Sequence, residues 1–336
     1  MKMVSREIGY FNLRKIMNSG QIFRMYEPEN GRFVVFSGNK RLELCERTGE
    51  SKGNGYVDFY CSQKEFEEYW EDYFDLKRDY GAIVKSAEEH CRKSAGINEM
   101  RGAEFLKNAC RYGADIRVLK QNVWEMMISF IISQQKQIPS IRKCIEALCE
   151  RFGEKHVTED MGTQPDFWHG FPSAEAIAAA GPDGLKGLSL GYRERYIYET
   201  AVKYLTDGLT DETIREMTAD EAKKYFCSFT GIGNKVADCI CLFGAGFTDA
   251  FPIDVHIKDI LYREFVPYER QIKLEKSLKE RLKTEDIPRK KLLEALSYRD
   301  YLQIIDNDFS AFNGVKGIIQ QWIFAYEISR IRSDDK

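Results

Sequence analysis

The 336-residue sequence has no uninterrupted apolar run long enough to cross a bilayer, so no transmembrane helix is expected. Its start, MKMVSREIGYFNLRK, lacks the apolar stretch of a secretory signal. Cys-x2-Cys occurs nowhere, and no cysteine follows Cys241, which argues against a four-cysteine zinc site or iron–sulfur cluster. Histidine is scarce. His90, His156, His169 and His256 are scattered, which disfavours a histidine-rich metal centre. Basic charge is not in excess either: 50 Lys and Arg face 53 Asp and Glu, for a net charge of −3. Indiscriminate nucleic-acid binding usually shows as a basic balance, so any such role must come from a local site. The nine cysteines read as reduced thiols. A cytoplasmic protein with no membrane partner and no cofactor is expected.

What is present suggests an α+β protein. RFVVFSGNK and RLELCER alternate and are rich in strand-forming residues, with Gly38-Asn39 as the turn between them, and GYVDFYC offers a third strand. From Ser62 the character becomes helical. Residues 122–137 predict an apolar helix with a polar end, and 140–153 an amphipathic helix stopping at Gly153. Residues 173–205 predict at least two helices, broken at Gly181-Pro182 and again between Gly187 and Gly191. The charged stretch 269–297 reads as a solvated helical face. The expected plan is an N-terminal antiparallel β-sheet domain with helices over 1–112, then an all-α domain over 113–330.

The most informative stretch is FTGIGNKVADCICLFG, residues 229–244. Two glycines permit a tight turn with exposed backbone N–H groups. A helix starting near Asn234 would point its N-terminus at an anion such as phosphate. With a preceding helix in ADEAKKYFCSF, the segment 219–245 reads as a helix-hairpin-helix, which grips a nucleic-acid backbone through main-chain amides and needs little net positive charge. Lys235 in the first helical turn opposes the helix dipole. That field, with partial burial, would lower its pKa and make it a nucleophile. Cys239 follows one turn later on the same face. Asp254, in FPIDVH, is placed to cap the next helix and to face the lysine. Taken singly, each feature has an ordinary reading: a surface charge, a buried thiol, a helix cap. Their joint order and spacing carry the argument.

GIGNKVADCICLFG followed by FPIDVH resembles the helix-hairpin-helix DNA glycosylase superfamily, and within it the 8-oxoguanine DNA glycosylase/lyases. The resemblance extends across most of the chain in separated islands. It implies Lys235 as catalytic nucleophile, Asp254 as its assistant, Cys239 against the lesion base, and His256 on a DNA phosphate, with Gly231 and Gly233 at the DNA backbone. NSGQIFRM is similar to a family segment whose glycine carbonyl accepts the N7–H of the oxidised base, which implies Gly20. GIIQQWIF is similar to a family helix in which a glutamine reads the base and a phenylalanine stacks on it, which implies Gln320 and Phe324. SLGYRERYI is similar to the wedge loop and implies Tyr192 intercalating and Arg193 bonding the opposite base. In SFIISQQKQIPSI, Gln135 falls at the gap-filling position. Ser140 falls where the eukaryotic pattern has an arginine, which predicts relaxed opposite-base selectivity. The Gln-Gln form suggests a prokaryotic member.

The implied activity is base-excision repair of duplex DNA containing 8-oxoguanine by a monomeric N-glycosylase/AP lyase acting through a lysine Schiff base, with no catalytic metal. The resemblance also implies a structural monovalent cation at the carbonyls of Cys227, Phe229 and Ile232. Alternatives are a helix-hairpin-helix glycosylase for other lesions and a non-catalytic DNA-binding protein.

Overall fold

The computed structural model describes residues 2–47, 54–94, 102–158 and 166–334. Residues 1–80 and 115–250 form one compact unit, and 81–114 and 251–336 a second. These packing units interleave along the chain.

The first unit is built on a five-stranded antiparallel sheet of order β1-β5-β4-β3-β2, with β1 Val4–Gly9, β2 Met25–Glu29, β3 Arg32–Ser37, β4 Lys40–Arg47 and β5 Asn54–Phe59. The β3–β4 hairpin closes on a Ser37–Lys40 pair across Gly38-Asn39, and Gly38 has φ +55°, so the turn predicted from sequence is the turn observed. Phe33, Val35, Leu42, Leu44, Val57 and Phe59 alternate onto the buried face, where the Phe59 ring meets Phe66 at 4.9 Å and Phe74 at 5.8 Å, both edge-on. Each such side chain contributes roughly 1.5–3 kcal/mol of burial. The helical stretch begins at Ser62, whose hydroxyl accepts from the Glu65 N–H. It is not one helix: it breaks after Tyr73, at Asp75 with φ +49°, and resumes at Tyr80.

The remainder of this unit is largely helical. The helix Val123–Ser133 starts at the Asn122 cap and ends four residues earlier than the 122–137 reading. The helix Ile138–Phe152 stops at Gly153, as expected. Gly153 is there for packing, since its φ is −77° and a Cβ would lie 2.0 Å from the Gly170 carbonyl oxygen. A two-stranded hairpin, β6 Lys155–Thr158 with β7 Asp166–His169, interrupts what was expected to be an all-α region, so that region is largely rather than wholly helical. The break at Gly181-Pro182 is present, with Gly181 at φ +66°, and a loop with positive φ at Gly187, Ser189 and Gly191 leads into the helix Arg193–Asp207.

The second unit contains the helices Tyr298–Asp308, Ala103–Gly113 and Lys316–Asp334. The last two approach closely because Gly113 has no side chain: a Cβ there would lie 2.4 Å from Trp322. The charged stretch forms Tyr268–Leu282 and Arg289–Glu294, exposed over most of their length. Among the described residues, no helix is long and apolar enough to cross a membrane.

Candidate functional site

The helix-hairpin-helix lies wholly in the first unit. Its first helix, Ala219–Cys227, opens with a capping box between Thr218 and Glu221. Backbone bonds Phe229 N–H to Phe226 O and Ile232 N–H to Phe229 O, both 3.1 Å, turn the chain, and burial of Phe229 and Ile232 seats the turn. The second helix, Asn234–Ile240, starts at Gly233 with no side-chain cap on its first N–H groups. A Lys223–Asp238 ion pair of 2.7 Å, its carboxylate buried, clamps the two helices together. The sequence reading missed this pair, although Lys and Asp at facing positions of two helices are a usable signal.

The two turn glycines serve different ends. Gly231 has φ +83°, and a Cβ there would lie 2.3 Å from the Tyr196 ring, so glycine is required by the fold. Gly233 has φ −95° and nothing within 4 Å of a built Cβ. Its missing side chain leaves open space at the start of the helix.

Lys235 is the second residue of that helix and is partly buried. Its Nζ lies 5.4 Å from the centre of the Phe130 ring. Phe130 stacks on Phe243 at 5.7 Å and meets Phe23 edge-on at 5.6 Å, so the amine rests against an aromatic wall. Cys239, one turn on, is buried. Phe23 belongs to the segment containing Gly20, which has φ +82°. The next residue, Gln21, is fully buried. Its amide donates to Ser19 Oγ and Arg117 O at 2.9 Å and accepts from the Leu119 N–H at 2.8 Å, while its carbonyl takes the Gln121 amide at 2.7 Å. This network, which the sequence reading missed, holds the Gly20 backbone in place.

Gln135 is exposed at the end of the Val123–Ser133 helix with φ +53°, uncommon for a residue with a side chain. Tyr192 is about half exposed, and its ring packs on the Arg193 guanidinium at 4.3 Å. Arg193 itself is buried. It donates to Leu190 O at 3.0 Å and to Gln134 O, so in this structure its guanidinium serves main-chain carbonyls. Ser140 is exposed.

The remaining residues lie in the second unit. Asp254 caps Val255–Ile260, accepting from the Ile257 N–H at 2.8 Å, as predicted. Gln320 is buried, its amide donating to Pro252 O at 3.3 Å, while its side-chain oxygen has no hydrogen-bond partner. Phe324, one turn on and partly exposed, meets the His256 ring edge-on at 6.1 Å. Asp254, His256, Gln320 and Phe324 thus come from two packed segments of one unit. Gly20, Gln135, Tyr192, Arg193, Gly231, Gly233, Lys235 and Cys239 belong to the other.

Among the described residues, no group of three or more His, Cys, Asp or Glu could hold a metal ion. The Cys227 carbonyl ends the first hairpin helix, and those of Phe229 and Ile232 lie in the turn. Phe229 O takes the Ile232 N–H.

Residues 3–127 match the model of the 8-oxoguanine DNA glycosylase N-terminal domain, and residues 128–284 that of the HhH-GPD superfamily of base-excision DNA repair proteins. The chain belongs to the 8-oxoguanine DNA glycosylase family of the helix-hairpin-helix superfamily. A relative from Saccharomyces cerevisiae, an N-glycosylase/DNA lyase, is 32% identical over 228 residues, covering 63% of this chain and 57% of its own length. The chain therefore spans a little over half of that relative. Among solved structures, MBOgg1 with a low-affinity DNA ligand superposes with a TM-score of 0.75 at 28% identity, covering 100% of this chain and 97% of that one. The Clostridium acetobutylicum 8-oxoguanine glycosylase/lyase, in complex with duplex DNA carrying cytosine opposite the lesion, gives 0.71 at 26% identity, covering 99% of each.

Proposed function

We propose that the protein is a bifunctional DNA glycosylase/AP lyase that removes 8-oxoguanine from duplex DNA. The observation that carries this reading is Lys235: an amine in the first turn of the second hairpin helix, against an aromatic wall, one turn from a buried cysteine. Phosphate binding alone calls for no such amine.

In this reading the hairpin holds the lesion strand by the N–H groups after Gly233, with His256 on a second phosphate. Tyr192 enters the stack beside the extruded nucleotide and Gln135 fills the gap, offsetting part of the unstacking cost. The Gln320 side-chain oxygen is a buried acceptor without a partner, a state that costs about 1–3 kcal/mol until a donor arrives. The N–H donors on the Watson–Crick edge of a guanine-type base supply one, and Phe324 offers its ring for stacking. The Gly20 carbonyl takes the N7–H that oxidation adds, and Cys239 packs against the base. Unoxidised guanine would present a lone pair to that carbonyl, which discriminates strongly in a dry pocket.

Lys235 Nζ bonds to C1′ as the glycosidic bond breaks, and the base leaves with that electron pair and a proton. Asp254 stabilises the positive charge on the sugar. Opening of the sugar ring gives the lysine Schiff base. Loss of a C2′ proton then expels the 3′-phosphate, so the strand is nicked without a metal or redox partner. With Ser140 in place of an arginine, selectivity for the opposite base is relaxed. We assign the hairpin carbonyls a structural monovalent cation, and the protein a monomeric state and a cytoplasmic, nucleoid-associated setting in a prokaryote.

The test is incision of a duplex carrying one 8-oxoguanine, compared with the same duplex carrying guanine. Nicking of the first alone is expected. Equal nicking of both, or binding without base release, would overturn the assignment.

A further inference from the structure

Three loops with separate assignments in the proposed function meet in the first unit through side chains that the catalytic scheme leaves unused. Gln134 stands at their junction. Its side-chain amide donates to the carbonyl of Gly231, in the hairpin turn, at 2.9 Å. Its own carbonyl accepts from Arg193, which also donates to Leu190 O at 3.0 Å. The same loop is held again through Ser189, whose carbonyl accepts from Lys136 Nζ at 2.8 Å. Residues 134 and 136 thus tie the gap-filling loop to the wedge loop on both sides of Gln135.

Tyr196 makes the second link. Its ring fills the space that a Cβ on Gly231 would need, at 2.3 Å, and it meets the Tyr192 ring edge-on at 5.5 Å. Tyr192 therefore rests on Tyr196 on one side and on the Arg193 guanidinium on the other. A single residue of the hairpin, Gly231, supports both loops: its carbonyl holds Gln134 and its bare Cα seats Tyr196. Gln135 (φ +53°) and Ser189 (φ +57°) are both left-handed residues with side chains, and they flank this junction. Such conformations persist where surrounding contacts over-determine them.

We infer that Gln134 and Tyr196 are positioning residues that fix the wedge and the gap-filler to the hairpin turn, with Arg193 bracing the two loops from inside this block. Gripping the lesion strand at the hairpin then sets the height and angle at which Tyr192 and Gln135 enter the stack. Extrusion of the nucleotide is driven by binding energy from the backbone contact, and needs no separate loop closure. This inference rests on the glycosylase reading of the site.

The experiment uses the full chain and an 8-oxoguanine duplex with 2-aminopurine as the neighbouring base, whose fluorescence rises on unstacking. Tyr196→Ala, Tyr196→Phe and Gln134→Glu are compared with the wild type for fluorescence amplitude, single-turnover base release, affinity for undamaged duplex and thermal unfolding. Gln134→Glu replaces the donor facing the Gly231 carbonyl by an acceptor of the same shape. Tyr196→Ala and Gln134→Glu are expected to lower the fluorescence amplitude and slow base release about tenfold, the scale of losing one or two modest contacts, with affinity for undamaged duplex retained. Tyr196→Phe keeps the ring and is expected to match the wild type. Wild-type amplitude and rate in Tyr196→Ala and Gln134→Glu would overturn the inference, as would a loss of rate that follows loss of folding or of duplex affinity. A wild type that gives neither unstacking nor base release would refute the glycosylase reading itself.

Discussion

Glu125 provides a stability test that can be worked from the structure. Its side chain projects from the helix Val123–Ser133 and is almost fully buried, with one oxygen accepting from the Gly38 N–H at 2.8 Å. That bond joins the helix to the β3–β4 turn. Burial disfavours the charged form and pushes the carboxyl up to about 7, against an ordinary 4.5; the Arg24 guanidinium and the Gly38 N–H offset part of the effect. A raised carboxyl pKa means that the folded protein holds the proton more tightly than the unfolded chain. Below 4.5 both states are protonated and the contribution is fully present. Between 4.5 and about 7 only the unfolded chain ionises, so stability is lost as pH rises, and the loss is complete above about 7. At 1.36 kcal/mol per pH unit, the gap is worth ~3 kcal/mol. Glu125→Gln keeps an acceptor for Gly38 and cannot ionise. Urea denaturation of both proteins from roughly pH 5 to 8 isolates the group, because every other titration is shared. The wild type is expected to lose up to ~3 kcal/mol relative to the variant across that range. Parallel pH profiles would refute the reasoning.

Further outcomes follow from the site. Gly231→Ala forces a Cβ against Tyr196 in a left-handed residue and should cost roughly 2–4 kcal/mol, read by thermal or urea unfolding. Gly233→Ala meets no neighbour and should cost no more than ~1 kcal/mol as a cap change, yet weaken duplex binding, read by fluorescence anisotropy. Asp254→Asn retains the helix cap, so unfolding should barely move while base release slows about a hundredfold in single turnover. Ser140→Arg, at an exposed position, should leave folding unchanged and shift base release toward lesions paired with cytosine; wild-type rates that already differ strongly among the four opposite bases would contradict the relaxed selectivity.

Legibility in the sequence followed how local the causes were. The Gly38-Asn39 hairpin, the helical onset at Ser62, the cap at Asp254, the breaks at Gly181 and Gly187–Gly191 and the helix-hairpin-helix all rest on turn and cap chemistry within a few residues, and all stand where expected. Strand β1 is different: only Val4 and Ile8 are buried, and the strand is defined by pairing with β5 some fifty residues away. Strand β2 carries Pro28 and three charges or polar groups in five residues, which hides it. The break after Tyr73 has no glycine or proline to announce it. It is stabilised by Asp75, whose carboxylate takes Arg78 at 2.6 Å. The early end of the Val123–Ser133 helix depends on Arg193, distant in sequence, holding Gln134 O. For the same reason Arg193 reads as loop surface from its neighbours and is buried in the fold. Site residues in recognisable segments were legible; Gln21, Gln134 and Asp238 were not, because each is defined by a partner on another element.

The role of Lys235 as nucleophile is tested by borohydride trapping of the protein on a duplex carrying one 8-oxoguanine, with Lys235→Gln in parallel. A covalent protein–DNA adduct is expected for the wild type and none for the variant, because borohydride joins protein to DNA only by reducing a Schiff base between them to a stable amine. An equal adduct from both proteins would assign the nucleophile elsewhere, and base release by the wild type without any adduct would make the enzyme a water-dependent glycosylase and contradict the role given to Lys235.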